Sequence, residues 1–330
     1  MRVAVVMGGV TPEREISLRS GAALSKSLRE AGFEVVEVDV VSLSPGNEPT
    51  FSPVAGAVAV SYEELPSLLR REGCEVAVLA LHGPYGEDGH VQALLEVAGI
   101  PYTGSGVLAS ALGMNKAASK RIFKAAGLSV PEGFEVSRET SPKEAFERAE
   151  KELGLPVVVK PTSQGSTVGV SIVRERGEME GALREALKFG PKALVEEFIP
   201  GREITVGVMD GKDPRPLPII EIKPLTGTGL YDFEAKYAPG GSEHIVPARL
   251  TEAERRAVEG AAVGAFKALG CKGVARVDMR LREDGKAFVL EVNTIPGFTE
   301  TSLVPEAARA AGISFPELAA MMVRMALEGR

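Results

Sequence analysis

Val274-Ala275-Arg276-Val277-Asp278-Met279-Arg280-Leu281-Arg282-Glu283-Asp284-Gly285-Lys286-Ala287-Phe288-Val289-Leu290-Glu291-Val292-Asn293 is the stretch on which the fold turns. Residues 274 to 282 and 287 to 293 are strand-like runs on either side of Asp284-Gly285, a dipeptide suited to the tight turn of a hairpin. Pairing across a two-residue turn sets Glu283 opposite Lys286, Asp278 opposite Glu291 and Arg276 opposite Asn293; a four-residue turn gives the same register. Side-chain alternation then gathers Val277, Met279, Leu281, Phe288, Leu290 and Val292 on one face, which reads as core. The other face carries two carboxylates, an amide and an arginine. Opposed carboxylates repel unless a cation lies between them. An all-oxygen set of Asp278, Glu291 and Asn293 suits magnesium, which takes few protein ligands and completes its shell with water and phosphate. A solvated face on which Arg276 and Arg280 neutralise the acids is the competing reading. The run Asn293-Thr294-Ile295-Pro296-Gly297 puts a polar glycine loop directly after the candidate ligands.

Upstream, Val157-Val158-Val159-Lys160 leads through Pro161-Thr162-Ser163-Gln164 to Gly165-Ser166-Thr167-Val168-Gly169, with a second strand expected over Val168 to Val173. This is not a Walker A loop, which needs Lys after its second glycine and a helix behind it. Glycines between two strands can instead fold over a triphosphate with backbone N–H groups pointing inward. Lys160 and Lys116 are the cationic partners within reach. Val195-Glu196-Glu197-Phe198 offers strand backbone groups to an adenine edge, and Glu203 is placed to accept hydrogen bonds from ribose hydroxyls. Each element read alone is equally a plain turn or a surface acid. Their occurrence in one chain points to an ATP- and magnesium-dependent enzyme.

The first hundred residues are of another kind. Residues 3 to 7 form a continuous apolar run ending at Gly8-Gly9, a helix follows from Arg14 to Ala31, and Glu34 to Val40 is a strand: a parallel α/β unit. The pattern returns at Val76 to Leu81, with a helix to Ala98 and a short strand at Ile100 to Thr103. Asn115 can cap a helix to Ala126, and Thr251 with Glu254 makes a capping box for a helix to Leu269. Three units are expected: an N-terminal parallel α/β domain over 1–103, a central lobe with the phosphate loop over 104–196, and a C-terminal lobe with the metal site over 197–330. A chain of 330 residues is long enough for them.

Composition narrows the class. Hydrophobic residues make up 44%, charged residues 25%, and the formal net charge is -7 without a run of Lys or Arg. Neither a nucleic acid nor an anionic membrane is an expected partner. No stretch has the length of a membrane span or a signal-peptide core. Cys74 and Cys271 form no CxxC, and His82, His90 and His244 lack zinc spacing, so a cytoplasmic location is expected.

The order of Lys116, Lys160, the Gly165 to Gly169 loop, Glu196 and Glu203, Arg276-Val277-Asp278 and Glu291-Val292-Asn293 resembles the ATP-grasp ligases. The whole chain resembles the D-alanine–D-alanine ligase family within them. The likeness runs from Gly8-Gly9-Val10-Thr11-Pro12-Glu13-Arg14-Glu15-Ile16-Ser17 through Leu81-His82-Gly83 and Gly86-Glu87-Asp88-Gly89. It continues in Tyr231-Asp232-Phe233-Glu234-Ala235-Lys236-Tyr237 and ends in Asn293 to Thr299 with Ser302-Leu303-Val304-Pro305. The resemblance implies an ATP-grasp fold behind a Rossmann-like parallel α/β domain, and two lobes clamping ATP. It implies ligation of two D-alanine molecules through an acyl-phosphate, for peptidoglycan precursor synthesis, with two Mg2+ ions (or Mn2+). Glu13 would hold the first amino group in a set with Ser166 and Tyr237, the latter on a loop closing over the site between Pro224 and Gly241. His82 would contact substrate, and Arg276 and the Gly297 N–H would stabilise the oxyanion. Ser302 and Leu303 would receive the second carboxylate. Lys116, Lys160 and Lys236 would pair with phosphate oxygens, and Gly165, Ser166, Glu196, Glu197, Phe198 and Glu203 would complete the nucleotide site. A homodimer is the implied assembly. Glu197 departs from the pattern, standing where many relatives carry lysine. A ligase for another D-amino acid or for D-alanine with D-lactate, and a non-catalytic nucleotide-binding regulator, are the alternatives.

Overall fold

The computed structural model describes residues 1–46, 50–163, 165, 169–225 and 241–328. Its N-terminal sheet is parallel, in the order β3 (Val58–Ser61), β2 (Glu34–Ser42), β1 (Arg2–Gly8), β4 (Val76–Leu79). β1 lies between two partners and is covered on both faces, which is why its sequence is unbroken apolar rather than alternating. Helix α1 (Arg14–Glu30) packs on it through Ser17, Ser20, Gly21, Leu24 and Leu28; the small Ser17, Ser20 and Gly21 let the helix approach closely, and the Ser17 hydroxyl accepts the Gly8 N–H at 2.8 Å. α2 (Leu65–Arg71) and α3 (His90–Val97) complete the unit. The strand expected at Ile100 to Thr103 does not form. Tyr102 makes one isolated bridge to Ala77, because the Leu79 N–H, where pairing would continue, donates instead to the Thr103 hydroxyl.

The second sheet is antiparallel, in the order β5 (Gly133–Ser137), β8 (Lys192–Glu197), β6 (Val157–Pro161), β7 (Ser171–Val173). α6 (Pro142–Glu152) and α7 (Arg176–Ala186) supply Phe146, Ala149, Met179 and Leu183 to the core beneath it. β7 is shorter than expected, and Val168 lies outside the described residues. The third sheet runs β12 (Ser242–Ile245), β11 (Ile220–Pro224), β9 (Arg202–Met209), β13 (Val274–Leu281), β14 (Ala287–Asn293), with β10 (Arg215–Pro216) on β9. α8 (Glu252–Leu269) lies against this sheet with α4 (Val107–Met114) and α5 (Lys116–Ala125); Phe123, Phe266, Val277 and Val289 share one core. α8 has the expected capping box, with Thr251 Oγ1 accepting from Glu254 N–H. α9 (Leu303–Ala310) and α10 (Phe315–Glu328) return to the N-terminal sheet, where Val304, Leu318 and Val323 join Val5, Met7 and Val78. That return joins both ends of the chain around one cleft. Among the described residues no single helix is long and apolar enough to cross a membrane.

The β13–β14 hairpin pairs Asp278 with Glu291 and Arg276 with Asn293, as expected, by a different route. Its turn has three residues: Arg282 N–H donates to Lys286 O, Gly285 N–H donates to Arg282 O, and Gly285 takes φ +80°, a left-handed position open to glycine. That shifts the pairing by one, to Met279 with Val289 and Leu281 with Ala287; a bulge at Leu290 restores it. The expected core face is therefore corrected. Ala287, Val289 and Val292 face the core with Val277, Met279 and Leu281. Phe288 pairs with Arg280 on the other face, under the guanidinium of Arg282 at 4.8 Å.

Candidate active site

Glu13 immediately precedes α1 but makes no side-chain cap there, so its carboxylate is not spent on the helix end. It lines a cavity of about 380 Å3 together with His82, Lys116, Gly165, Arg276, Glu291, Asn293, Gly297, Ser302 and Leu303. The N-terminal wall is fixed by Ser20 of α1, whose hydroxyl lies 3.4 Å from His82 Nε2 and accepts the Phe298 N–H at 3.3 Å. Thr11 Oγ1 donates to His82 O. A Cβ placed on Gly165 would stand 3.2 Å from Glu13 Oε1, so the start of the glycine loop reaches the Glu13 carboxylate. Ser166, Lys236 and Tyr237 lie outside the described residues.

Across the cleft, Arg276 makes a two-pronged ion pair with Asp278 (2.8 and 2.7 Å), and Thr205 Oγ1 donates to Asp278 Oδ1 at 2.6 Å. Glu291 pairs with Lys116 Nζ at 2.9 Å. Arg280 does not neutralise the opposed acids; it bonds Glu203, Ile199 O and Gly201 O. No group of three or more His, Cys, Asp or Glu is placed for a metal among the described residues. Asp278, Glu291 and Asn293 nevertheless fit magnesium: all their donors are oxygens, and the buried Asn293 Oδ1 has no hydrogen-bond partner among the described residues. Downstream, Thr299 N–H donates to Ser302 Oγ at 3.0 Å, and a Cβ placed on Gly297 would stand 3.2 Å from that hydroxyl.

Of the expected nucleotide residues, Lys116 and Gly165 line this cavity, while Lys160, Glu196, Glu197, Phe198 and Glu203 are not among its lining residues. Lys160 Nζ on β6 and Lys120 Nζ on α5 stand 2.7 and 2.6 Å from the two oxygens of Glu196 on β8, all three buried. Glu197 accepts the Glu132 N–H, Phe198 lies under the Arg280 guanidinium, and Glu203 bonds Arg280.

The fold that frames this cavity recurs in known proteins. Residues 2–105 match the model for the D-ala D-ala ligase N-terminus, and residues 122–324 match that for the D-ala D-ala ligase C-terminus. The chain belongs to the D-alanine–D-alanine ligase family. It is 47% identical over 328 residues to the D-alanine--D-alanine ligase of Desulforudis audaxviator, covering 99% of each chain. It is 45% identical to that of Pelotomaculum thermopropionicum, covering 99% of this chain and 97% of the other. The crystal structure of the Bacillus anthracis D-alanine--D-alanine ligase complexed with ATP superposes with a TM-score of 0.80 at 33% identity, covering 100% of this chain and 98% of that one. The fold is that of these ligases, ATP-grasp lobes behind a parallel α/β domain.

Two buried residues of this ligase escaped the sequence reading. Lys120 stands one helical turn beyond Lys116, and that i, i+4 spacing on a capped helix was the available signal. Burial pushes the Lys120 ammonium down to about 8 against the pull of Glu196. Burial also works against the Glu196 carboxylate, but Lys120 and Lys160 outweigh it and hold its carboxyl below the usual range. Glu87 accepts the Gly83 N–H at 3.1 Å; burial first, then the Glu13 charge, push its carboxyl up to about 8. It stands beside an acid expected to bind an ammonium group.

His82 is pushed down to about 4, by burial and then by the Arg276 charge, from an ordinary 6.5. It therefore faces the cavity as neutral imidazole. Between those values the unfolded chain binds the extra proton, so the stability this group confers is complete above about pH 6.5 and lost as pH falls towards 4. The loss amounts to about 3 kcal/mol. Denaturant titrations should show His82→Asn with a shallower fall in stability over that window than the parent; equal slopes would mean that His82 does not drive it.

Proposed function

We propose that the groups around this cavity carry out the family's ligation in two steps, with substrate-activating residues on one wall and charge-stabilising residues on the other. The activity is D-alanine–D-alanine ligation (EC 6.3.2.4), supplying a peptidoglycan precursor. ATP is the co-substrate. The observation that carries the assignment of residues is the one cavity joining Glu13 and His82 to Gly165, Arg276, Glu291, Asn293, Gly297 and Ser302.

Glu13 pairs with the ammonium group of the first D-alanine, in a set completed by Ser166 and Tyr237, and His82 contacts the same substrate. The carboxylate of that D-alanine attacks the γ-phosphorus of ATP; its bond to the bridging oxygen breaks, leaving ADP and an acyl-phosphate. Lys116, Lys160 and Lys236 pair with phosphate oxygens under the Gly165 to Gly169 loop. Glu196, Glu197 and Phe198 border the adenine, and Glu203 takes the ribose hydroxyls. Two magnesium ions, or manganese in their place, would be held by Asp278, Glu291 and Asn293 and would supply neutralisation of the triphosphate. The free amine of the second D-alanine, whose carboxylate is received at Ser302 and Leu303, then attacks the acyl carbon. Arg276 and the Gly297 N–H stabilise the resulting oxyanion, and phosphate leaves as the peptide bond forms. A covered site matters because the acyl-phosphate hydrolyses in open water.

A cytoplasmic location and a homodimer complete the reading; the exposed Val97 and Leu108 on the contacting helices α3 and α4 support an association surface. Phosphate release measured with ATP, magnesium and a panel of D- and L-amino acids and D-lactate tests the substrates. D-alanine alone should give full turnover, with dipeptide the product and D-lactate a poor acceptor. Depsipeptide formation at a comparable rate would overturn the dipeptide assignment.

A further inference from the structure

Asn115 caps α5, with its side chain accepting the Ala118 N–H, so Lys116 and Lys120 stand one turn apart on the same face of a well-started helix. The two lysines reach different sheets. Lys116 Nζ pairs with Glu291 of β14 in the third sheet, and Lys120 Nζ pairs with Glu196 of β8 in the second. The Lys116 N–H also donates to Thr162 O, just beyond the end of β6, at 2.9 Å. Helix α5 therefore ties β6 and β8 of one lobe to β14 of the other.

The cluster around Glu196 carries an imbalance of charge. One carboxylate faces two ammonium groups, Lys120 at 2.6 Å and Lys160 at 2.7 Å, and all three residues are buried. A buried charge is costly unless an opposite charge matches it. Glu196 is matched twice over, which leaves one positive charge for an anion. The two lysines differ in what carries them. Lys160 lies near the end of β6, whose chain runs on to Gly165 at the main cavity, whereas Lys120 is held in the second turn of α5. Lys160 is thus the one placed to turn towards a phosphate, and Lys120 the one placed to stay.

We propose that Lys120 is a positioning residue for ATP: it keeps Glu196 neutralised and in place when Lys160 turns from that carboxylate to a phosphate oxygen, so that nucleotide binding strands no buried charge. This rests on the reading of Lys160 as a phosphate partner and of Glu196 as a border of the adenine. Without Lys120, the phosphate and Glu196 compete for a single cation.

ATP and adenosine separate the two halves of that exchange, because adenosine has the base and the ribose but no phosphate to draw Lys160 away. Steady-state turnover gives the ATP constant, and adenosine is measured as a competitor of ATP. Lys120→Met should raise the ATP constant about 10- to 100-fold, the range for a hydrogen bond to a charged group, and leave the adenosine and D-alanine constants within about twofold of the parent. Glu196→Gln removes the charge that Lys120 serves, so adding Lys120→Met to it should raise the ATP constant far less than in the parent. An unchanged ATP constant in Lys120→Met, a parallel loss of adenosine and ATP, or an equal loss with and without Glu196→Gln would overturn the proposal. Lys160→Met is measured alongside. A raised ATP constant there, with none in Lys120→Met, removes the role of Lys120 alone; no change in either removes the phosphate reading of Lys160 as well. Lys120→Gln carries the same expectations in case Lys120→Met does not fold, and circular dichroism melts check each variant.

Discussion

Replacing Glu291 with Gln should lower kcat for dipeptide formation about 10²- to 10³-fold, the range seen when one stabilising group is removed from a developing charge. Gln keeps the shape of the side chain and its capacity to accept a hydrogen bond; only the charge is lost. Two things depend on that charge. Glu291 is the partner of the buried Lys116 and stands directly opposite Asp278 in the hairpin register. A neutral amide leaves Lys116 poorly matched, which costs about 1–3 kcal/mol. The hairpin persists, because Val289 and Val292 on its far face carry the packing. The loss should therefore appear as a modest drop in Tm and a collapse in turnover. A magnesium titration gives the readout that identifies the cause: half-maximal activity should require more metal in the variant. Near-normal turnover at the parent's magnesium concentration would contradict the metal role.

That prediction uses a register the sequence made visible through two compensating errors. Alternation and the Asp284-Gly285 turn identified the paired residues, yet a three-residue turn and the bulge at Leu290 cancel to produce the pairing. Phe288 and Leu290 were misassigned because a bulge inverts which residues face the core without altering their apolar character. Strand and helix starts were legible wherever local chemistry sets them, as at Asn115, whose side chain accepts the Ala118 N–H, and at the Thr251 box. The Ile100 segment failed because its pairing depends on which partner takes the Leu79 N–H, a tertiary fact. Within the candidate site, motif order pointed to Glu13, Arg276 and Glu291, which the fold brings to one cavity. Glu87 and Lys120 stayed hidden since their significance is burial beside other charges, which no spacing encodes.

Asp39→Ala should produce the largest loss of stability of any single change considered, about 3–5 kcal/mol, because it strands a buried charge. Arg14 donates to Asp39 through both Nη atoms at 2.8 and 2.7 Å, and also to the Gly9, Val40 and Ser52 carbonyls. Both side chains are almost wholly buried, at 5% and 0% exposure. Gly8 makes room for them: at φ +89°, a Cβ there would fall 2.1 Å from Asp39 Oδ1. Without the carboxylate, the guanidinium keeps only neutral acceptors, and the Val54 N–H loses its partner as well. The melting temperature should fall on the order of 10 °C. Arg14→Met combined with Asp39→Val should recover part of this, since a buried ion pair replaced on both sides loses its desolvation penalty along with its attraction. If the double variant were no more stable than Asp39→Ala, the cost would lie in packing rather than in the stranded charge. Recovery of stability should not restore function. Arg14 anchors the turn that carries Glu13, so the double variant should keep a raised constant for the first D-alanine, and normal affinity there would show that the pair holds the fold without aligning the site.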